Sequence, residues 1–213
     1  MKIGVFQFSL FGINTYVVFD PATLCCAVID PGMFNETEEK AMENFITKNN
    51  LKVTHVINTH LHLDHAAGNS FMKKKYGVPV AADKNDEYLG SNIQQQARMF
   101  GLDLNLEDVE ITQYLHAGEK IKIGEGELEV ISVPGHSKGS IALYDKEDNF
   151  VIVGDALFQG SIGRTDLPGG DYEELIGSIK NNLLTLPEST IVFPGHGPST
   201  TIGEEKKRNP FLR

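Results

Sequence analysis

His60-Leu61-His62-Leu63-Asp64-His65 places three imidazoles and a carboxylate within six consecutive residues. Imidazole nitrogen and carboxylate oxygen are the ligands that zinc and iron take most readily in proteins. A lone histidine is more often a satisfied structural residue, but four ligand-type side chains in one run reverse that expectation and point to a metal centre. The flanks fit such a site. Val53 to Asn58 has the apolar, β-branched composition of a short buried strand, so the cluster starts just beyond a strand end. From His65 to Tyr76 the pattern predicts a helix whose basic residues, Lys73-Lys74-Lys75, come last, as the helix dipole favours.

Six neighbouring residues cannot all reach one ion from one loop, so further ligands are expected elsewhere. Three other segments share the same construction. Leu128–Val133 leads into Pro134-Gly135-His136, Phe150–Val153 into Gly154-Asp155, and Thr190–Phe193 into Pro194-Gly195-His196. Each is an apolar strand that stops, turns on glycine and presents one ligand-type residue. Ligands of open sheets bind beyond the carboxyl ends of strands, so four such ends can converge on one cleft.

In this order the residues His-x-His-x-Asp-His, Pro-Gly-His, Gly-Asp and Gly-His resemble the metallo-β-lactamase superfamily. The resemblance extends from Ile29-Asp30-Pro31-Gly32 to Gly195-His196-Gly197. Within it, Gly154-Asp155-Ala156-Leu157-Phe158, Gly160 to Asp171, Gly195 to Gly203 and Asn209 to Leu212 are similar to short bacterial glyoxalase II-like proteins. The resemblance implies a four-layer αββα sandwich of the α/β class, whereas periodicity alone supports only a mixed α/β domain. It assigns His60, His62 and His136 to one metal, Asp64, His65 and His196 to a second, and Asp155 to both. It also implies one domain over residues 1–213, without the helical domain that long glyoxalase II enzymes carry after the last metal histidine.

Composition narrows the function. A formal net charge of −10 disfavours a nucleic-acid partner, because phosphate binding needs concentrated Lys and Arg. The two basic runs, Lys73-Lys74-Lys75 and Lys206-Lys207-Arg208, read as solvated helix ends. No apolar run is long enough to span a membrane, and Ile3 to Phe8 reads as a first strand rather than an export segment, so a cytoplasmic protein is expected. Cys25 and Cys26 are adjacent in a strand, point to opposite faces and make a poor disulfide pair.

The remaining pattern predicts strands near residues 3–8, 14–19 and 25–29, a helix from Glu36 to Lys48, a strand at Val78–Ala81 and strands from Lys120 to Val153. A helix follows from Tyr172 to Leu186. Asp83 to Phe100 is polar and Gln-rich with helix signals from Ile93. It is either a cap over the cleft or a surface connection, and the latter is the plainer reading. His55 and His116 read as bystanders, and Tyr144 as core.

Two divalent ions sharing a solvent molecule make hydroxide available at neutral pH. No cysteine is a candidate nucleophile, and covalent catalysis is not supported. The expected activity is therefore hydrolysis of a small-molecule thioester such as hydroxyacylglutathione by metal-bridging hydroxide. Asp155 would fix the intermetal distance and Asp64 would orient the nucleophile. Zinc is the first expectation, with iron and manganese also suited to His/Asp ligands. Asp30 either hydrogen-bonds a ligand histidine from behind or simply forms a turn. Arg164 and Asp166 lie in the Gly-rich loop where relatives hold the thiol carrier, and Arg164 either pairs with a substrate carboxylate or forms an internal, loop-stabilising ion pair. A persulfide dioxygenase with one iron on His60, His136 and Asp155 is the rival enzyme. A non-enzymatic metal-binding module is the third reading.

Overall fold

The computed structural model describes residues 1–8 and 10–213. In the first half of the chain lie strands β1 (Lys2–Phe8), β2 (Ile13–Phe19), β3 (Cys25–Ile29), β4 (Lys52–Ile57), β5 (Val80–Ala82) and β6 (Gln113–Tyr114). Helices α1 (Glu36–Lys48), α2 (Leu63–Ala66), α3 (Asn69–Tyr76), α4 (Glu87–Gly90) and α5 (Ile93–Met99) are interspersed with them. The second half holds β7 (Lys120–Ile123), β8 (Gly126–Ser132), β9 (Ile141–Asp145), β10 (Phe150–Gly154), β11 (Leu157–Phe158), β12 (Ser161–Ile162), β13 (Ile191–Pro194) and β14 (Thr200–Thr201). With them come α6 (Tyr172–Ser178) and α7 (Ile202–Arg208).

Twelve of these strands build two six-stranded sheets, ordered β1-β2-β3-β4-β5-β6 and β14-β13-β10-β9-β8-β7, while β11 and β12 pair with each other. The first begins with antiparallel pairs and turns parallel from β3 onward; the second is antiparallel except where β10 meets β13. Apolar side chains divide into three clusters that define the layers. Tyr16, Val18 and Ile29 meet Ile121, Leu128, Leu143 and Ile152 between the two sheets. On the outer face of the first sheet, Val17, Val28 and Val56 meet Met42 and Ile46 of α1 and Met72 of α3. On the outer face of the second, Val151, Val153 and Val192 meet Leu175 of α6, Ile179, Leu183 and Ile202 of α7. Helix, sheet, sheet, helix is the four-layer αββα order.

The period of two sorts even adjacent residues. Cys26 faces the outer cluster and Cys25 the inter-sheet one, and both thiols are free. Helix α1 starts at Asn35, whose side chain accepts from Glu38 N–H, with Glu36, Glu38 and Glu39 in its first turn. The basic runs end α3 and α7, where Lys73, Lys74, Lys75 and Lys207 pair with Glu110, Glu107, Glu43 and Glu188.

The helix expected over His65–Tyr76 is two helices. The chain breaks around Ala67-Gly68 because Gly68 N–H donates to Pro31 O (2.7 Å), and a Cβ there would collide with Met33. This break lets α2 carry Asp64 and His65 in a direction that α3 does not share. The helix expected from Tyr172 to Leu186 is α6 followed by a wider turn over Ile179–Leu183. Tyr144 is buried, as the strand pattern implied, and no described helix is long and apolar enough to cross a membrane.

The two sheets are tied together at the end that carries the ligands. Asn14 N–H of β2 donates to Gly195 O (2.7 Å), and its side-chain amide donates to Pro194 O (3.1 Å) and Gly197 O (2.8 Å). Tyr16 O–H adds a bond to Pro194 O (2.6 Å). A strand of the first sheet thus holds the loop that presents His196.

Candidate metal centre

The strand ends converge. β4 ends at Ile57 and delivers His60 and His62 through Asn58-Thr59; α2 follows with Asp64 and His65. β8, β10 and β13 deliver His136, Asp155 and His196. Two glycines make the approach feasible. A Cβ on Gly195 would overlap Asp155 Oδ1 and His65 Cε1. Gly154 adopts φ +51°, and a Cβ there would overlap Thr59 Oγ1.

On one side, His136 Nε2 lies 2.9 Å from His62 Nδ1 and 3.2 Å from His60 Nε2. On the other, His196 Nε2 lies 3.1 Å from Asp64 Oδ2, with His65 Nε2 3.9 Å from the same oxygen. Asp155 lies between the groups: Oδ1 is 3.2 Å from His65 Nε2, while Oδ2 is 3.6 Å from His196 Nε2 and 3.7 Å from His136 Nε2. Ligands about 2.1 Å from a tetrahedral zinc stand about 3.4 Å from one another, so these separations are those of a coordination shell. Three sets of donors meet this condition within 4.8 Å: His60/His62/His136, His60/His65/Asp155 and Asp64/His65/His196.

Donor chemistry provides a second test. His65 Nε2 and Asp155 Oδ1 are buried without an aligned hydrogen-bond partner. Such orphaned groups are costly unless something else satisfies them. The opposite ring nitrogens are already committed. His65 Nδ1–H donates to Asp30 Oδ2 (2.9 Å), and His136 Nδ1–H donates to Arg164 O (2.8 Å). His60 Nδ1–H faces Thr59 Oγ1 (3.2 Å), whose own proton goes to Asp30 Oδ2 (2.6 Å). In each ring Nε2 is thereby left as the free lone pair. The seven residues fit two divalent cations.

Electrostatics agree. Burial and neighbouring imidazoles hold His60 well below its ordinary pKa and His62 down to about 3, so both are neutral ligands at physiological pH. Burial also opposes charge on Asp64 and Asp155, but His65 and His196 outweigh it and keep both carboxyls below the usual range. Around His65, burial is overcome by Asp155, Asp30 and Asp64, which favour a cation at that point.

Asp30 is fully buried at φ +50°, an uncommon backbone state for a side chain other than glycine. Its Oδ1 accepts Thr59 N–H (2.7 Å), so one carboxylate orients His65 directly and His60 through Thr59. Asp30→Asn is expected to weaken zinc binding about 10- to 100-fold, the usual cost of losing such a support; competition with a chromophoric chelator measures it. Arg164 and Asp166 form a bidentate pair, with Nε–Oδ1 and Nη2–Oδ2 both 2.7 Å. Arg164 lines the cleft above the donors. His55 is half-buried beside Thr54 and His116 is exposed; neither belongs to the cluster.

Two supporting residues escaped the sequence reading. Asp86, fully buried, accepts from Leu61 N–H (3.1 Å), Ser137 O–H (2.7 Å) and Gly139 N–H (2.7 Å), so it ties the His60/His62 loop to the His136 loop. Gln96 accepts from Leu63 N–H (3.0 Å) and donates to Leu61 O (3.3 Å) and Leu89 O (3.0 Å). Gln96 carried a signal, since it shares the i, i+3, i+4 face of Ile93 and Ala97, both buried. Asp86 carried none. The Gln-rich segment is consequently no plain surface connection: Leu89, Gln96, Met99 and Phe100 line the cleft over the donors.

The metallo-β-lactamase superfamily model matches residues 9–196, and the chain belongs to that superfamily. It is 38% identical to hydroxyacylglutathione hydrolase GloC of Haemophilus influenzae, over 100% of this chain and 98% of that protein. Among solved structures it resembles the BLEG-1 B3 metallo-β-lactamase (31% identity, TM-score 0.89, 99% of both chains). It resembles TTHA1623 in a di-iron-bound form (34%, 0.87, 98% of this chain and 100% of that one). ETHE1 from Myxococcus xanthus follows at 27% and 0.82, covering 99% and 84%.

Proposed function

We propose that this chain is a binuclear-metal thioester hydrolase of the glyoxalase II type. The observation that carries this reading is the convergence of seven His and Asp residues beneath one cleft that five of them line, with His65 Nε2 and Asp155 Oδ1 buried without an aligned partner. Two divalent cations, zinc foremost, with iron or manganese also compatible, supply Lewis acidity and lower the pKa of bound water from 15.7 to about 7. The likeness to GloC supports an acyl thioester as substrate, and the di-iron form of TTHA1623 supports two-metal occupancy.

The residues divide the work. His60, His62 and His136 would hold one cation as neutral ligands, and Asp64, His65 and His196 the other. Asp155 would sit against both and set their separation. The Asp64 side chain, 20% exposed, reaches the open side of the cleft, where it would orient the attacking water. Hydrolysis consumes one water: the acyl carbon–sulfur bond breaks, and a carboxylate, a thiol and one proton leave. A thiol ionises near pH 8.5, so its departure needs little acid assistance.

A second reading, a one-iron persulfide dioxygenase on His60, His136 and Asp155, is favoured by the fold likeness to ETHE1 and by the proximity of these three side chains. Metal analysis of the purified protein, paired with assays on lactoylglutathione and glutathione persulfide, separates the two. Two ions per chain with thioester cleavage is the expected result. One iron with persulfide-dependent oxygen uptake would replace the hydrolase with the dioxygenase, and failure of every substrate at full metal loading would leave a binding module.

A further inference from the structure

The cleft has a polar floor and apolar walls. Phe11 comes from the β1–β2 turn, Leu89 from α4, Met99 and Phe100 from the end of α5, and Leu167 and Pro168 from the loop after Arg164. Together they enclose about 280 Å³ above the donors. Phe11 meets Phe100 edge-on at 5.7 Å, so the wall closes between two loops far apart in sequence. Met99 is 65% exposed and Phe100 48%, and Leu10, next to Phe11, is 47% exposed. Large apolar side chains gathered at one mouth gain nothing for the fold while they face water. They mark a surface that a ligand covers.

Charge points the same way. Among the described residues lining the cleft, Arg164 is the sole Lys or Arg, and Asp166 holds its Nε/Nη2 edge and offsets its charge. Asp166 lies two residues away in the same loop, so a substrate carboxylate shares Arg164 with an intramolecular partner already in place. The chain as a whole carries −10. Glutathione presents two carboxylates and one ammonium, and for both carboxylates the walls offer one cation, already paired with Asp166.

Resting on the thioesterase reading, we propose that the preferred substrate is a thioester with an apolar, uncharged carrier arm lying against Phe11, Met99, Phe100 and Leu167, rather than a glutathione conjugate. The test uses the metal-loaded enzyme and lactoyl thioesters of glutathione, N-acetylcysteamine and 2-phenylethanethiol. The phenylethyl ester is expected to exceed the glutathione ester in kcat/KM by about tenfold or more, mainly through KM, the discrimination that one or two apolar contacts provide. Met99→Ser with Phe100→Ser should shrink that ratio to within about twofold, and Asp166→Asn, which releases Arg164, should raise kcat/KM for the glutathione ester about tenfold.

Binding supplies an independent readout. Uncleavable thioethers of glutathione and of 2-phenylethanethiol are titrated calorimetrically, and the phenylethyl compound should bind more tightly with a negative heat-capacity change. Tighter binding and faster turnover of the glutathione compounds would overturn the inference while leaving the thioesterase reading in place. Preferential phenylethyl binding with no thioester cleaved would end the thioesterase reading and leave apolar recognition standing. No measurable binding of the phenylethyl thioether would overturn the inference outright.

Discussion

Replacing Asp155 with Ala is expected to lower kcat/KM for thioester cleavage by about 10³-fold or more and to leave less than one metal bound per chain. The size of the effect follows from position. Asp155 is within 4 Å of donors from both sides of the cluster: His65 and His196 on one, His136 on the other. On the proposed two-metal reading its removal would take a ligand from each cation, and it leaves His65 Nε2 buried with one less negative neighbour. Loss of His62 alone subtracts from one side only, so His62→Ala should be milder and retain about one ion. The comparison is made by elemental analysis after dialysis, beside initial rates at saturating zinc. Equal rates in Asp155→Ala and the parent would remove the two-metal mechanism.

Asp86→Ala is expected to be the most damaging change outside the ligands, at about 3–5 kcal/mol of stability, or roughly 6–20 °C in melting temperature for a chain of this length. Three donors, Leu61 N–H, Ser137 O–H and Gly139 N–H, converge on this one carboxylate inside the protein. Truncation leaves them in a space too tight for easy rearrangement, since a Cβ on Gly139 would already press on Asp86. Asp86→Asn retains an acceptor and should recover more than half of the loss.

The same pair of variants carries a pH signature. Burial raises the Asp86 carboxyl to about 6, against the opposing hydrogen bonds from Ser137, Gly139 and Leu61. The unfolded group ionises near 3.9, so between these values the folded state binds the extra proton. Asp86 therefore makes stability fall as pH rises from about 4 to 6. In Asp86→Asn, denaturant melts of the metal-free protein should lose that slope. An unchanged slope would show that Asp86 titrates normally.

What the sequence disclosed and what it hid separate along a physical line. Strand ends followed by glycine and a ligand residue are local patterns, so His60 through His65, His136, Asp155 and His196 stood out before any fold was known. The apolar runs that became β2 and β3 and the helix pattern from Glu36 to Lys48 were equally local. The supports were not. Asp86 is one acidic residue among 29 Asp and Glu, and only the folded chain brings Ser137 and Gly139 to it. The interruption at Gly68 depends on Pro31, far back in the chain, accepting its N–H. Met99 and Phe100 read as the end of an ordinary helix until the β1–β2 turn sets Phe11 against them. Ligand identity is a property of short words, whereas cleft shape and ligand support are properties of long-range contact.

The clasp of Asn14 and Tyr16 on the His196 loop has a thermodynamic consequence. Loops following the first sheet contribute His60, His62, Asp64 and His65, while loops of the second contribute His136, Asp155 and His196. Any cation in the cluster therefore acts as a rivet through the seam of the sandwich, joining halves that otherwise meet through apolar packing and a few hydrogen bonds. Its binding free energy counts toward holding the halves together, growing with the logarithm of free metal concentration. The protein's resistance to unfolding is thus set partly by the metal supply around it, and starvation for metal would reach the sandwich itself as well as the chemistry.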